Sequence, residues 1–375
     1  MNAPLFAGRV AQLRPTAVNR VLAEVRELEA QGRLLVSLMR GQPDTPTPAP
    51  IVEAACEALR AGRTGYADNR GEPALRRAVA TKIEREQGLS YDPDREILIT
   101  DGATLGVCTA LGALVNPGGP VILPDPIYDA YESPIALWGG RPVPVTAEVC
   151  DGRFTFGRTE LERAWGPGDG VLLLNTPWNP VGTVLARPEL ETVMAFAQER
   201  DVRVISDEIY ESLVYGGLQH VTPAAVSADA RARTVIVNSL SKTYAMTGWR
   251  VGYCAGPETI IAAMLLVLQQ SSRGPATFVQ DAATVALALD GKFAHAMAAE
   301  YQGRRDQVID ALGGIARVEP LVSQGGLFVM VDVRGLGMTS DAVRRFLLTQ
   351  AGVVVLHGSA YGPGGEGFLR VSFAA

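Results

Sequence analysis

Five short, near-continuously apolar runs recur through the middle of the chain: EILIT at 96–100, VILPD at 121–125, VLLLN at 171–175, VRVISD at 202–207 and TVIVNS at 234–239. A strand that is apolar on both sides needs cover on both sides. Helices that carry the chain back to the same edge of the sheet supply that cover. Helical patterns around 188–200 and 257–270 fit this role. The alternation predicts an α/β fold built on a mostly parallel central sheet.

The flanking segments read differently. Residues 17–31, AVNRVLAEVRELEAQ, form an amphipathic helical pattern closed by Gly32, and a short strand is expected over 34–39. The proline-dense GQPDTPTPAP at 41–50 forbids a continuous helix and reads as an ordered crossing loop or a lobe boundary. Helices are expected near 51–61 and 72–87, with TGYADNRG between them. Beyond about residue 290 a long helix, the strand GLFVMVDV at 326–333, a helix near 340–350 and a terminal strand FLRVSF suggest a smaller α+β lobe. The expected division is an N-terminal segment 1–40 that contributes to the small domain, a large domain 41–285 and a C-terminal small domain 286–375.

Composition narrows the function classes. A formal net charge of −6 argues against a dedicated nucleic-acid surface. The four cysteines form no CxxC pair and the three histidines no cluster, so no metal site is expected. The apolar stretch Ile260–Leu268 is too short to span a bilayer as a helix, and the first ten residues lack the pattern of a secretory signal. A cytoplasmic protein without a membrane partner is the expectation.

Ligands of open α/β sheets collect beyond the carboxyl ends of the strands. Thr100 there leads into Gly102, Ala103 and Thr104 at the start of a helical pattern, whose free amides suit an anion or simply a capped helix. Asp207 ends another strand in SDEIY, with Tyr210 three residues on; it reads as a turn cap or as the carboxylate partner of a heteroaromatic nitrogen. Asn179 in NTPWNPVG is an Asx turn or a directed donor. NSLSKTYAMTGWR at 238–250 sets Lys242 among Ser239, Ser241 and Arg250, as a surface lysine or a Schiff-base amine. Together, an anion cradle, a carboxylate for a ring nitrogen and a reactive lysine are the three services that pyridoxal 5′-phosphate requires.

The ordered series GQPD, GYADNRG, DPIYDAYE, NTPWNPVG, SDEIYE, SLSKTYAMTGWRVGY and GFLRVSF resembles the class I/II pyridoxal-phosphate aminotransferases of fold type I, in particular the bacterial aspartate/aromatic branch. The resemblance implies a large domain with a seven-stranded sheet, a smaller α+β domain, and ping-pong transfer of an amino group from an L-amino acid to a 2-oxo acid. It makes Lys242 the Schiff-base lysine and proton carrier, and Asp207 the partner of the pyridine nitrogen. Asn179 and Tyr210 become contacts of the ring oxygen, and Tyr128 a ring-stacking residue. Ala103, Thr104, Ser239 and Arg250 form the phosphate site. Tyr66 corresponds to a tyrosine lent to the neighbouring subunit, which implies a homodimer. Arg370 and Gly41, with Asn179, are implied to receive the substrate, Arg370 by pairing with its α-carboxylate.

Several positions depart from the family pattern. GQPD stands for GEPD, NPVG for NPTG, and Gly118–Gly119–Pro120 replaces a glycine-aspartate-glutamate turn. His357 stands where a proline often begins a late loop, either to touch substrate or to pack the loop. Thr104 stands where some acidic-substrate relatives carry a lysine, so it supplies no charge for a distal carboxylate. The same cofactor residues also serve carbon–sulfur β-lyases of this fold and, less readily, a non-catalytic pyridoxal-phosphate-binding module.

Overall fold

A computed structural model describes residues 7–166 and 170–374. Its largest sheet has seven strands: β1 (Ile97–Thr100), β2 (Pro120–Asp125), β3 (Arg141–Thr146), β4 (Val171–Asn175), β5 (Arg203–Asp207), β6 (Thr234–Ser239) and β7 (Gly252–Ala255), in the order β1-β7-β6-β5-β4-β2-β3. All neighbours run parallel except β7, which is antiparallel to both β1 and β6. The α/β class and the five apolar strands follow the sequence reading.

The apolar runs divide their side chains between two cores. Leu172, Leu174 and Val204 pack with Leu190 and Phe196 on one face. Leu173, Ile205, Val235 and Val237 pack with Leu111, Ile261 and Met264 on the other. Burying each such side chain contributes roughly 1.5–3 kcal/mol, enough to hold the strands against both helical layers.

Two strands escape the apolar pattern. In β3, Pro142 and Pro144 break the run, but this strand pairs only with β2 and therefore needs no amide donors on its outer edge. Strand β7 reads GYCA, without the branched apolar residues that mark the other buried strands. The helix Thr277–Ala288 was also not foreseen; its Val279, Ala282, Ala283 and Ala286 pack against Ile51, Leu75 and Val79 of the helices Ala49–Arg60 and Pro73–Gln87.

A second, antiparallel sheet consists of β8 (Glu319–Pro320), β9 (Phe328–Asp332), β10 (Leu356–His357) and β11 (Phe368–Ser372), in the order β8-β9-β11-β10. The long helix Lys292–Gly313 packs Met297 and Tyr301 into its core. The strand expected over 34–39 shrinks to Val36–Ser37, which pairs with Val353–Val354. One residue later, the Leu38 carbonyl accepts from the Ser372 amide at 2.8 Å. These bonds bring Met39, Arg40 and Gly41 beside β11.

Register gathers the polar strand ends of the large sheet. Asn175 stands opposite Asp207, and Gly252 opposite both Thr100 and Ser239. Residues separated by more than a hundred positions thus share one rim.

Candidate functional site

At that rim lies a cavity of about 280 Å³, bounded from the other side by Met39, Gly41, Phe328 and Arg370. Of the residues singled out in the sequence, Gly41, Ala103, Thr104, Tyr128, Asn179, Asp207, Tyr210, Ser239, Lys242, Arg250 and Arg370 all line it. Two others lie elsewhere. Tyr66 is 94% exposed in the loop after the helix Ala49–Arg60. His357 turns its Nδ1 to Ser359 Oγ at 2.9 Å and its Nε2 toward Asp341 at 3.9 Å, which favours a loop-packing role.

Lys242 sits in the single helical turn Leu240–Thr243, started by Ser239, whose hydroxyl accepts from the Ser241 amide at 3.0 Å. Its ammonium donates to the Gly41 carbonyl and lies 5.8 Å from the Tyr210 ring centroid. Burial, with the positive charges of Arg250 and Arg370 nearby, lowers its pKa to about 8. An amine so placed exchanges a proton near neutral pH.

Asp207 is buried at the end of β5. Its Oδ1 accepts from the Ile209 amide at 3.2 Å and its Oδ2 from the Tyr131 hydroxyl at 2.6 Å. Burial drives its pKa up to about 7 against those two hydrogen bonds. Two donors leave acceptor capacity unused on this carboxylate.

The start of the helix Ala103–Leu114 faces Arg250. Gly102, at φ +81°, caps the helix, and a Cβ on it would lie 2.5 Å from Arg250 Nη2. Only glycine lets the guanidinium lie against this turn. Arg250 itself meets only main-chain carbonyls among the described residues, those of Thr247 at 3.0 Å and Asp101 at 3.3 Å. Its positive charge and the free amides of the helix start thus converge with no acidic side chain among the described residues paired to Arg250.

On the opposite wall Arg370, in the middle of β11, is 2% exposed. Its Nη1 donates to Asn179 Oδ1 at 3.2 Å and its Nη2 to the Met39 carbonyl at 2.9 Å, while its Nε has no partner among the described residues. The guanidinium carbon lies 3.8 Å from the Phe328 ring centroid. Gly41 is held close by the same ring: a Cβ there would meet Phe328 Cζ at 2.6 Å. A buried guanidinium without a carboxylate is costly, and a bound anion would offset that cost.

Sequence reasoning missed three side chains of the site. Phe328 looks like ordinary strand core. Asn175 donates to the Asp207 carbonyl at 3.0 Å and accepts from the Asn179 amide at 2.8 Å, joining the two loops. Tyr131 stands three residues beyond Tyr128, and only its bond to Asp207 sets it apart. The described residues also bring Glu208, Glu211 and His220 within metal-ligand distance of one another. Those groups are already engaged: Lys82 pairs with Glu211, Ser206 and Thr222 donate to Glu208, and His220 Nε2 lies 2.9 Å from Glu208.

Residues 34–375 match the family model described as aminotransferase class I and II. The arginine–pyruvate transaminase AruH of Pseudomonas aeruginosa is 39% identical over 94% of this chain and 88% of its own length. An aspartate aminotransferase of Pyrococcus abyssi is 36% identical over 98% of this chain and 94% of its own. The crystal structure of an aromatic aminotransferase from Pyrococcus horikoshii superposes with a TM-score of 0.88, at 36% identity and 94% coverage of both chains.

Proposed function

This chain belongs to the class I and II aminotransferases, and from that premise we propose which of its residues carry the reaction and which substrates its pocket takes. It is a pyridoxal-phosphate-dependent enzyme that moves an amino group from an amino acid to a 2-oxo acid by a ping-pong mechanism.

The pocket's own chemistry fits the cofactor. Arg250 and the glycine-opened helix start form a cradle for a phosphate. Asp207 is a buried carboxylate with acceptor capacity left for a ring N–H. Ala103, Thr104, Ser239 and Arg250 are read as the phosphate site, Asn179 and Tyr210 as donors to the ring oxygen, and Tyr128 as the side chain that packs on the ring. When bound, the cofactor supplies an aldehyde carbon and a ring that takes up the electron pair left at the substrate Cα.

Arg370 is read as the carboxylate receptor. Two of its nitrogens are held by Asn179 and Met39 and its guanidinium carbon packs over Phe328, so an incoming α-carboxylate is oriented rather than merely attracted. Gly41 closes the pocket with its carbonyl. With the cofactor held by these residues, Lys242 Nζ would be the group that takes the proton from the substrate Cα and hands it on within the pocket. The depressed pKa of this amine suits both directions of that transfer. The observation that carries the reading is one cavity lined together by Lys242, the buried carboxylate of Asp207 and the buried guanidinium of Arg370, which has no carboxylate partner among the described residues.

The cations that line the cavity are Lys242, Arg250 and Arg370, each already assigned, and Thr104 adds none. We therefore read the preferred substrate as an amino acid whose distal end carries no carboxylate. The working form is read as a homodimer, because the exposed Tyr66 stands clear of its own pocket. We place the protein in the cytoplasm; no helix among the described residues is long and apolar enough to cross a membrane. Residues 41–285 are read as the large domain, and 286–375 with 1–40 as the small one. Assaying arginine, aromatic and aliphatic amino acids against pyruvate, 2-oxoglutarate and oxaloacetate tests the substrate reading. A kcat/KM for aspartate above all of these refutes it.

A further inference from the structure

The hydroxyl of Tyr131 donates to Asp207 Oδ2 at 2.6 Å, and neither side chain faces bulk water. The phenol is set in place from several directions. Its ring meets Tyr128 edge-on, with centroids 5.4 Å apart and planes at 87°. It packs in one cluster with Val107, Leu123 and Ile135. The Ile135 amide bonds back to the Tyr131 carbonyl at 3.2 Å.

Asp207 has an electrostatic problem that this contact addresses. Burial favours its neutral form, and the nearby Glu208 charge adds to that push. Of the influences that oppose burial, the Tyr131 hydrogen bond is the largest, ahead of the Ile209 amide and the Lys242 charge. Tyr131 in turn keeps its proton, because burial and the adjacent Asp207 charge raise its own pKa well above the usual phenol value. The phenol is therefore the donor of this pair and the Asp207 carboxylate the acceptor.

We propose that Tyr131 is a positioning residue for the transfer reaction: by donating to Asp207 Oδ2 it keeps that side chain a carboxylate, so that the proton they share resides on the cofactor ring nitrogen and not on aspartate. The inference rests on reading Asp207 as the partner of that nitrogen. A hydrogen bond to Asp207 stabilises the ionised aspartate more than its neutral acid, so its loss shifts the proton from ring toward carboxyl. A ring that has lost its proton is a poorer acceptor for the electron pair from Cα.

The test uses holoenzyme reconstituted with cofactor labelled with 15N in the ring, which reports the position of the proton without turnover. In Tyr131→Phe the 15N shift moves from the pyridinium value toward that of the neutral ring. The kcat falls roughly ten- to hundredfold, as expected for loss of a hydrogen bond to a charged group, while KM for the amino acid stays within about twofold. Tyr131→Met fills similar space without a donor and gives the same readout should Tyr131→Phe fail to load cofactor. Asp207→Ala separates the two claims. If Asp207→Ala moves the shift and the Tyr131 variants match wild type in both shift and kcat, the role of Tyr131 is overturned and that of Asp207 stands. If Asp207→Ala leaves the shift at the wild-type value, the underlying reading of Asp207 fails, and this inference with it.

Discussion

Arg370 lies over the ring of Phe328, its guanidinium carbon 3.8 Å from the centroid, and the edge of the same ring blocks any side chain at Gly41. One aromatic residue therefore touches both the carboxylate receptor and the backbone that carries the Lys242 contact. Strands β9 and β11 place the two residues on neighbouring strands, with Met330 opposite Arg370.

Removing the receptor has a defined cost. Arg370→Ala is expected to lower kcat/KM by the roughly 2–5 kcal/mol that separates a paired buried charge from an unpaired one. Most of the loss falls on KM for the amino acid and the 2-oxo acid alike. Arg370→Lys recovers little of it, since an ammonium offers no planar pair of donors. Steady-state kinetics with both substrates measure this; equal KM values in wild type and Arg370→Ala contradict the assignment.

The glycine at 41 is a packing requirement. Gly41→Ala forces its Cβ against Phe328 Cζ at 2.6 Å, so either the ring or the backbone moves. Overpacking of this kind costs about 1–3 kcal/mol. A lowered Tm together with a raised KM is the expected pair of effects. A Tm and KM at wild-type values contradict the packing account.

The lowered pKa of Lys242 has a sign that can be checked in the apoenzyme. The neutral amine is the form that attacks an aldehyde, and its fraction grows as pH rises through about 8. At pH 7 about one molecule in ten is neutral, against about one in three thousand for an ordinary lysine. The rate of cofactor capture, followed by the rise of visible absorbance, should climb up to about pH 8 and then level off. A rate that still climbs tenfold per unit beyond pH 9 means an unperturbed lysine.

Tyr66 offers a test of assembly. If it serves the partner's site, Tyr66→Ala and Lys242→Ala subunits, each weakened or inactive alone, complement when mixed and reassociated. The site that keeps its own Lys242 then receives Tyr66 from the other chain. Recovery of up to one working site per mixed dimer is expected; no recovery, or a monomer in sedimentation, contradicts the shared site.

Much of this was legible in the sequence for physical reasons. Strands β1, β2, β4, β5 and β6 announce themselves because both faces are buried, and their polar ends, Asp207 and Ser239, stand out against apolar neighbours. The cavity residues followed from those ends and from motif resemblance. What was missed depends on contacts that sequence spacing does not encode. Strand β3 hides behind Pro142 and Pro144, and β7 is held by two neighbours more than by its own four residues. Phe328 looks like any core residue until Arg370 and Gly41 are seen on it. Tyr131 differs from Tyr128 only in which of them reaches Asp207.

A single turnover tests most directly whether Lys242 carries the proton that lets the amino group pass from substrate to cofactor in this pocket. Holoenzyme mixed with excess amino acid and no acceptor should release one equivalent of 2-oxo acid per site, no free ammonia, and stop with the cofactor in its amine form. Lys242→Ala should release none on the same timescale. Continuous formation of 2-oxo acid and ammonia without an acceptor, as from a cysteine conjugate with thiol release, or full turnover in Lys242→Ala, contradicts the account.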